Sequence, residues 1–392
     1  MQSFYDYIVI GAGIAGIKAA ETIRKFDISG KILMINAEDR MPYKRTSISK
    51  RLSAGFQKEE LALKPDEWFV QQTIEMVFGE VTQILLPTKQ ITIDNQVIRW
   101  NKLVLCVGSK PVEIDSDHNK SAGIFYFRNA ADVDIIRSQI NRNDEIVVIG
   151  GGVQGIELTE QMLLLGNKVS LIHHDNFLMN RYFDGFMSDH LHNLLTENGV
   201  KVFLKTKVKT ILKTDNQGFT IETDQNIPVH CDKIIVSIGT RPDIDLAKLA
   251  GLKTNKGILV DLFLLTSHPD VYAAGDVAEH PDGLVTGLWH AAEKQGVIAG
   301  ANAAGQNMQF ENTIFRLKLN AFNQYYFSVN PKISDPDSES MVIRKDEKYY
   351  RFFFNENCLQ GALMMNDKDN AKSLEEAVRM LRNRKEVSEA FS

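Results

Sequence analysis

Only three cysteines, Cys106, Cys231 and Cys358, occur in 392 residues, far apart and each inside an apolar, strand-like stretch. An odd, scattered set supplies neither a disulfide framework nor a zinc cluster, so a reducing cytoplasm is the expected setting. Positive charge is also short: 45 Lys and Arg against 50 Asp and Glu give a formal net charge of −5. That balance argues against a dedicated nucleic-acid binder, whose affinity rests on a basic surplus. No apolar run reaches membrane-spanning length. The opening MQSFYDYIVIGAG lacks both the basic and the unbroken apolar region of a signal peptide. The expectation is a cytoplasmic protein with neither membrane nor nucleic acid as partner. Hydrophobic residues at 44% and charged ones at 24% lie at the globular average, which excludes dominant disorder, and the length suits two or three domains.

What the chain does have is a repeat. Residues 8–17 read IVIGAGIAGI and residues 147–156 read VVIGGGVQGI, identical at Val9/Val148, Ile10/Ile149, Gly11/Gly150, Gly13/Gly152, Gly16/Gly155 and Ile17/Ile156. Each block follows an apolar run, precedes a helix-period segment, and is followed by a second strand, KILMIN at 31–36 and KVSLIH at 168–173. Two such βαβ units imply an α/β fold with two Rossmann-like dinucleotide-binding domains. In each motif the first glycine permits the tight turn, the second lets a pyrophosphate reach the backbone, and the third lets helix and strand close together. The helix N-terminus then offers free N–H groups and a positive dipole end to the phosphates.

Each expected nucleotide domain ends alike, on an apolar strand, a glycine and a proline: CVGSKP around Gly108 and SIGTRP around Gly239. Between the two glycine repeats run a helical DEWFVQQ and strands around turns at Pro87 and Asp94–Asn95. A further apolar run ends in Ala273-Ala274-Gly275-Asp276, placing an acid at a strand tip expected to open into a helix at 289–305. From about 312 the pattern changes to strands closed by one helix, KSLEEAVRMLRNRK, and predicts a separate α+β domain. The expected segments are 1–111, 112–239, 240–311 and 312–392. Paired aromatics in the tail (Tyr325-Tyr326, Tyr349-Tyr350, Phe352 to Phe354) predict strand core or the contact surface of a homodimer.

With both glycine motifs, the Gly-Asp tip and the strand-rich tail in place, the chain resembles the FAD-dependent pyridine nucleotide-disulfide oxidoreductases related to glutathione reductase. Its segment MPYKRTSISKRL at 41–52 is similar to the branch of NADH–rubredoxin reductases, nitrite reductase flavoprotein domains, oxygenase-coupled ferredoxin reductases and apoptosis-inducing factor. The resemblance implies the following roles. Gly11, Gly13 and Gly16 hold the FAD pyrophosphate with Arg45. Glu38, with Asn36 as the competing candidate, bonds the adenosine ribose, and the backbone near Val81 meets the adenine. Gly108 and Asp276 lie along the flavin half, Asp276 on the ribityl hydroxyls. The helix start at Trp289 points its N–H groups at the flavin O2. Gly150, Gly152 and Gly155 hold the pyrophosphate of NAD(P)H, with Gly239 by the nicotinamide half.

The same resemblance places Lys50 beside the flavin N5, paired with Glu157, where a fixed ammonium stabilises charge on the reduced ring and a carboxylate offsets its burial. The other readings are a solvated loop lysine and a surface glutamate. At the second strand tip, where an acid selects NADH and basic groups accept a 2′-phosphate, stand His173 and His174, with Arg181 beyond and Asp175 close. These histidines tolerate NADPH on chemistry; a similar His in nitrite reductase flavoproteins works with NADH; or they are exposed loop residues. Disulfide reductases of the superfamily need a cysteine pair against the flavin, and NADH peroxidase-type relatives use a single cysteine there. The stretch from Ala37 to Leu52 has none. The flavin is therefore expected to pass electrons from NAD(P)H to an external acceptor, a small carrier such as a rubredoxin or ferredoxin. The alternatives are an NAD(P)H oxidase or quinone reductase, and a nucleotide-sensing protein that resembles apoptosis-inducing factor.

Overall fold

The computed structural model describes residues 2–114, 121–214, 218–311, 314–335 and 338–391. The chain forms two compact units, one of Met1–Ile48, Phe56–Pro111 and Thr240–Thr313, the other of Ser49–Gly55, Val112–Gly239 and Ile314–Ser392. The expected boundary at 312 falls on residues outside the described ones.

The first unit is organised by the strand Phe4–Ile10, whose neighbours Ile32–Asn36 and Gln96–Leu105 run parallel to it. Ile74–Phe78 extends the sheet beyond Ile32–Asn36, also in parallel. Strands covered on both faces carry near-continuous apolar sequence, and ILMIN at 32–36 is buried at every position. Besides Phe4–Ile10, Gln96–Leu105 serves two further partners: its first half pairs antiparallel with Gln90–Ile93, and Leu103–Leu105 pair parallel with Val271–Ala273. The helix Ile14–Phe26 buries a face of small residues, among them Ala15, Ala19 and Ala20. Against it lies Trp289–Ala303, which presents Gly296 and Gly300; a Cβ at either would sit 2.2 Å from the Ala15 carbonyl oxygen or 2.4 Å from that of Ala19. Glycine there is what allows the two helix backbones to approach.

The second unit holds a parallel five-stranded sheet in the order Lys201–Phe203, Lys168–Ile172, Glu145–Ile149, Lys233–Val236, Ile124–Tyr126. A small antiparallel sheet of Val208–Lys213, Phe219–Thr223 and Val229–Cys231 adjoins it in sequence. The tail folds as an antiparallel sheet of Arg316–Ala321, Gln324–Val329, Cys358–Met365, Lys348–Asn355 and Glu339–Lys345. Its paired aromatics alternate between faces, as the period of two requires. Tyr325, Phe327, Tyr350, Phe352 and Phe354 pack with Leu374, Val378 and Phe391 of the closing helices. On the opposite face Tyr326 stacks with Phe183 and Tyr349 lies 4.5 Å from Phe186.

Two expectations fail here. The closing helix is two, Ala371–Arg379 and Arg384–Phe391, with the turn between them inside RMLRNRK. Leu381 takes φ 52°, and the N–H groups of Leu381 and Arg382 return to the Val378 and Ala377 carbonyls, closing the first helix. The turn is held because the Arg382 carbonyl accepts the Leu359 N–H of the sheet. Asn383 and Glu386 then cap the next helix reciprocally, side chain to backbone in both directions. Second, the Gly275-Asp276 tip does not open straight into a helix. A two-residue strand, Ala278–Glu279, and a loop intervene before Trp289.

Candidate functional site

The two glycine turns are sterically alike, each built within its own unit. Gly11 and Gly150 adopt φ 101° and 116°, and a Cβ there would lie 2.2 Å from the Cys106 carbonyl oxygen or 2.1 Å from that of Ser237. At Gly16 and Gly155 a Cβ would fall 1.9 Å and 1.8 Å from the carbonyl oxygen of the first glycine in the same turn. Gly13 and Gly152 meet nothing within 4 Å. The outer glycines are thus demanded by the protein's own backbone, and the middle one leaves a cradle a side chain would fill. Both following helices start on that middle glycine with no side-chain cap and no acidic residue in the first turn. Their first N–H groups and positive dipole ends are available to an anion. The donor set and the open cradle fit the pyrophosphate of a dinucleotide.

Around the first turn, Asn36 ends its strand buried, and its amide donates to the Arg40 carbonyl at 2.7 Å. Glu38 is less buried and gathers Tyr43, whose hydroxyl donates at 2.6 Å, and the guanidinium of Arg45. Of the two ribose candidates, Asn36 is spent on shaping the loop and Glu38 carries the charge. Val81 opens the strand Val81–Leu85, three residues after Phe78, which pairs with Asn36. Gly108 takes φ 77° between Leu105 and the short strand Ser109–Pro111. Ser109 Oγ donates to Asp276 at 3.1 Å, tying that turn to the Gly-Asp tip. Trp289 begins a fifteen-residue helix, again without a side-chain cap.

In the second unit His173 is not the exposed loop residue that one reading of the sequence allows. It is buried, and its Nδ1 accepts the Gly151 N–H at 3.2 Å, inside the second glycine turn. Burial and the neighbouring His174 hold its pKa below the ordinary value, against the pull of Asp175 and the Phe177 backbone. The ring is therefore neutral and braces the turn. His174 is more than half exposed and lies 3.3 Å from Asp175. Arg181 is exposed on the turn before Gly185–Glu197, and Gly239 takes φ 109° with open space where its Cβ would be.

Lys50 and Glu157 do meet. Glu157 lies just past the third glycine on Val153–Leu164, is nearly fully buried, and holds the Lys50 ammonium at 3.6 Å from Oε1. Its Oε2 accepts the Ser49 hydroxyl at 2.5 Å. Burial pushes the Glu157 carboxyl up to about 6, against the lowering effect of Lys50 and Ser49. One helical turn on, Gln161 accepts both the N–H and the hydroxyl of Ser53 at 3.0 and 2.7 Å. Arg137 donates to the Leu52 and Ser53 carbonyls. The surface-glutamate reading of Glu157 is thus excluded, and Ser49 and Gln161 are partners that the sequence alone did not single out. The i, i+4 spacing of Glu157 and Gln161, matched by that of Ser49 and Ser53, was the available signal.

Cys106 and Cys231 are buried, and burial pushes both thiols up to about 12. At neutral pH neither supplies the thiolate that disulfide exchange needs. No helix among the described residues is long and apolar enough to cross a membrane.

Comparison with known proteins agrees with this geometry. The family model described as pyridine nucleotide-disulphide oxidoreductase matches residues 5–296. The chain is 30% identical over 312 residues to the rhodocoxin reductase of Rhodococcus erythropolis, covering 79% of this chain and 73% of that one. It is 32% identical over 284 residues to a ferredoxin–NAD(P)+ reductase of a Sphingomonas species, covering 71% and 68%. The solved structure of the NADH:rubredoxin oxidoreductase from Clostridium acetobutylicum superposes with a TM-score of 0.78 at 23% identity, covering 97% of this chain and 96% of that one, and shows the shared fold. The chain belongs to the pyridine nucleotide-disulphide oxidoreductase family, oxidoreductases that depend on FAD and use NAD(P)H.

Proposed function

We propose that this protein passes electrons from NAD(P)H through FAD to a small electron-carrier protein of the rubredoxin or ferredoxin type. The observation that carries this reading is the pair of open-centred glycine turns together with a stretch from Ala37 to Leu52 that holds no cysteine. Two dinucleotides can be held, and no thiol stands where a disulfide reductase keeps its own. The names of the relatives, a rhodocoxin reductase and a ferredoxin–NAD(P)+ reductase, point to the same class of acceptor.

FAD, when bound, accepts a hydride and can part with its electrons one at a time. The residues of this chain supply the rest. Gly11, Gly13 and Gly16, with the uncapped helix behind them, bind its pyrophosphate; Glu38 takes the adenosine ribose, Arg45 the phosphates, and Asp276 the ribityl chain. Gly150, Gly152 and Gly155 bind the pyrophosphate of NAD(P)H over the His173 brace. His174, Asp175 and Arg181 stand at the strand tip that meets the adenosine ribose, and Asp175, a hydroxyl acceptor, favours NADH. Lys50 is the fixed cation for the developing negative charge, and Glu157 is the buried carboxylate that keeps its ammonium in place.

The test is reconstitution with FAD, stopped-flow reduction by NADH and by NADPH, and then oxidation by a panel of rubredoxins and ferredoxins. Rapid carrier reduction with slow oxygen consumption is expected. Fast oxygen consumption with no response to any carrier would replace this reading with an oxidase. A protein that stays colourless after reconstitution would end it.

A further inference from the structure

Behind the Gly275-Asp276 tip lies a buried polar cluster that none of the roles above uses. Gln295, on the helix Trp289–Ala303, is fully buried. Its Oε1 accepts the Gly275 N–H at 2.6 Å, and its Nε2 stands 2.9 Å from His280 Nε2 and 3.2 Å from Thr286 Oγ1. A backbone N–H can only donate, so the side-chain oxygen must face Gly275 and the amide nitrogen must face His280. The amide nitrogen is itself a donor, so His280 Nε2 must be the unprotonated ring nitrogen. The proton then sits on Nδ1, which is buried without a hydrogen-bond partner. His280 is buried and stacked on Phe310 at 4.5 Å, so the ring has no easy alternative pose.

We propose that Gln295 and His280 are the positioning residues of the FAD site: together they fix the Gly275 backbone at φ 85°, and through it the aim of Asp276, as long as the imidazole is neutral. This rests on the reading that Asp276 holds FAD. Protonation of His280 would bring two donors face to face. The amide would then turn or withdraw, and the Gly275 N–H would lose its acceptor at the adjoining residue. The surroundings oppose that proton. Burial holds the His280 pKa below its ordinary value, with Asp282 pulling the other way. Glu279, next in sequence, is engaged by Asn255 and the Gly257 N–H, and the Lys294 ammonium lies 5.6 Å from the Phe310 ring.

The test follows FAD release from the holoprotein by recovery of flavin fluorescence, between pH 7.5 and 5. In the unaltered protein release should quicken as the pH falls. Gln295→Leu leaves the Gly275 N–H orphaned, and release should quicken about tenfold at pH 7.5, with the difference from the unaltered protein narrowing as the pH falls. His280→Gln keeps a neutral acceptor for the amide and removes the titration: release at pH 7.5 should stay near that of the unaltered protein and its pH dependence should flatten. A Gln295→Leu protein with an unchanged thermal midpoint and unchanged release overturns the proposal, as does a pH dependence that survives in His280→Gln. If Gln295→Leu does not fold, the His280→Gln profile decides alone. An unaltered protein that binds no FAD fails the functional reading itself, a result separate from either of these.

Discussion

Replacing the middle glycine of a turn and replacing its third glycine should have opposite consequences, although both are single methyl additions. In Gly13→Ala the backbone already has φ −70° and ψ −176°, a region open to alanine, and the new methyl meets nothing within 4 Å. Loss of unfolded-state freedom favours alanine by about 0.4–1 kcal/mol. Its poorer performance at a helix N-cap costs about the same. The apoprotein should therefore keep its stability. The ligand loses the space into which its pyrophosphate fits, an overpacking cost of about 1–3 kcal/mol, or about a tenfold to hundredfold weaker Kd for FAD.

Gly16→Ala places the methyl 1.9 Å from the Gly11 carbonyl oxygen. Neither partner can give, because Gly11 is itself fixed by its N–H to the Ile35 carbonyl and the helix is pressed on Gly296 and Gly300. The helix must move by on the order of 1 Å, and a loss of about 3 kcal/mol or more is expected. Urea unfolding of the apoproteins and fluorescence titration with FAD measure the two quantities separately. A Gly13→Ala apoprotein destabilised by about 2 kcal/mol, or one with unchanged FAD affinity, would refute the assignment of the middle glycine to the ligand.

The second turn should repeat the pattern: Gly152→Ala should raise KM for NAD(P)H about tenfold or more while FAD binding is unchanged, read by steady-state kinetics and flavin fluorescence. Lys50→Ala should slow flavin reduction in stopped flow and leave FAD bound, since Lys50 contributes charge rather than the cradle; an unchanged rate removes Lys50 from the mechanism. Acid should weaken the fold, because burial holds His173, His190 and His280 below the ordinary histidine pKa of 6.5. Below pH 6.5 the unfolded chain binds protons that the folded one refuses, so stability falls with pH through that range. Glu157, raised to about 6, acts in the opposite sense: it holds a proton in the fold that the unfolded chain releases above its ordinary value of 4.5. Burial also raises Glu160, in the same sense as Glu157, so the net is three groups against two, and urea midpoints at pH 7.5 and 5.5 should show the fall. Asp184→Ala should cost about 3 kcal/mol or more in urea unfolding, because that buried carboxylate caps Gly185–Glu197 and also receives Tyr349 at 2.5 Å and Arg351 at 3.2 Å.

The dinucleotide turns were legible because their requirements are backbone requirements. A positive φ at Gly11 and contacts under 2 Å at Gly16 leave one residue type available, and the pattern stands in the sequence whatever the rest of the chain does. The stop at Leu381 was not legible, since its cause is a hydrogen bond to a strand more than twenty residues earlier. The reciprocal Asn383–Glu386 cap beside it was a local signal, outweighed by the continuous helical pattern.

Side-chain partnerships divide in the same way. That a carboxylate would answer Lys50 followed from resemblance, but the grip of Ser49 on Glu157 joins residues 108 apart, and no periodicity encodes it. Likewise the sequence placed His173 at a strand tip, and only the adjacency of that strand to the glycine turn decided that its ring lies underneath, bonded to Gly151. Residue type alone thus determined where the chain must bend tightly and where a phosphate can come close. Tertiary structure decided which polar groups share a buried space, because that depends on which strands and helices are brought side by side.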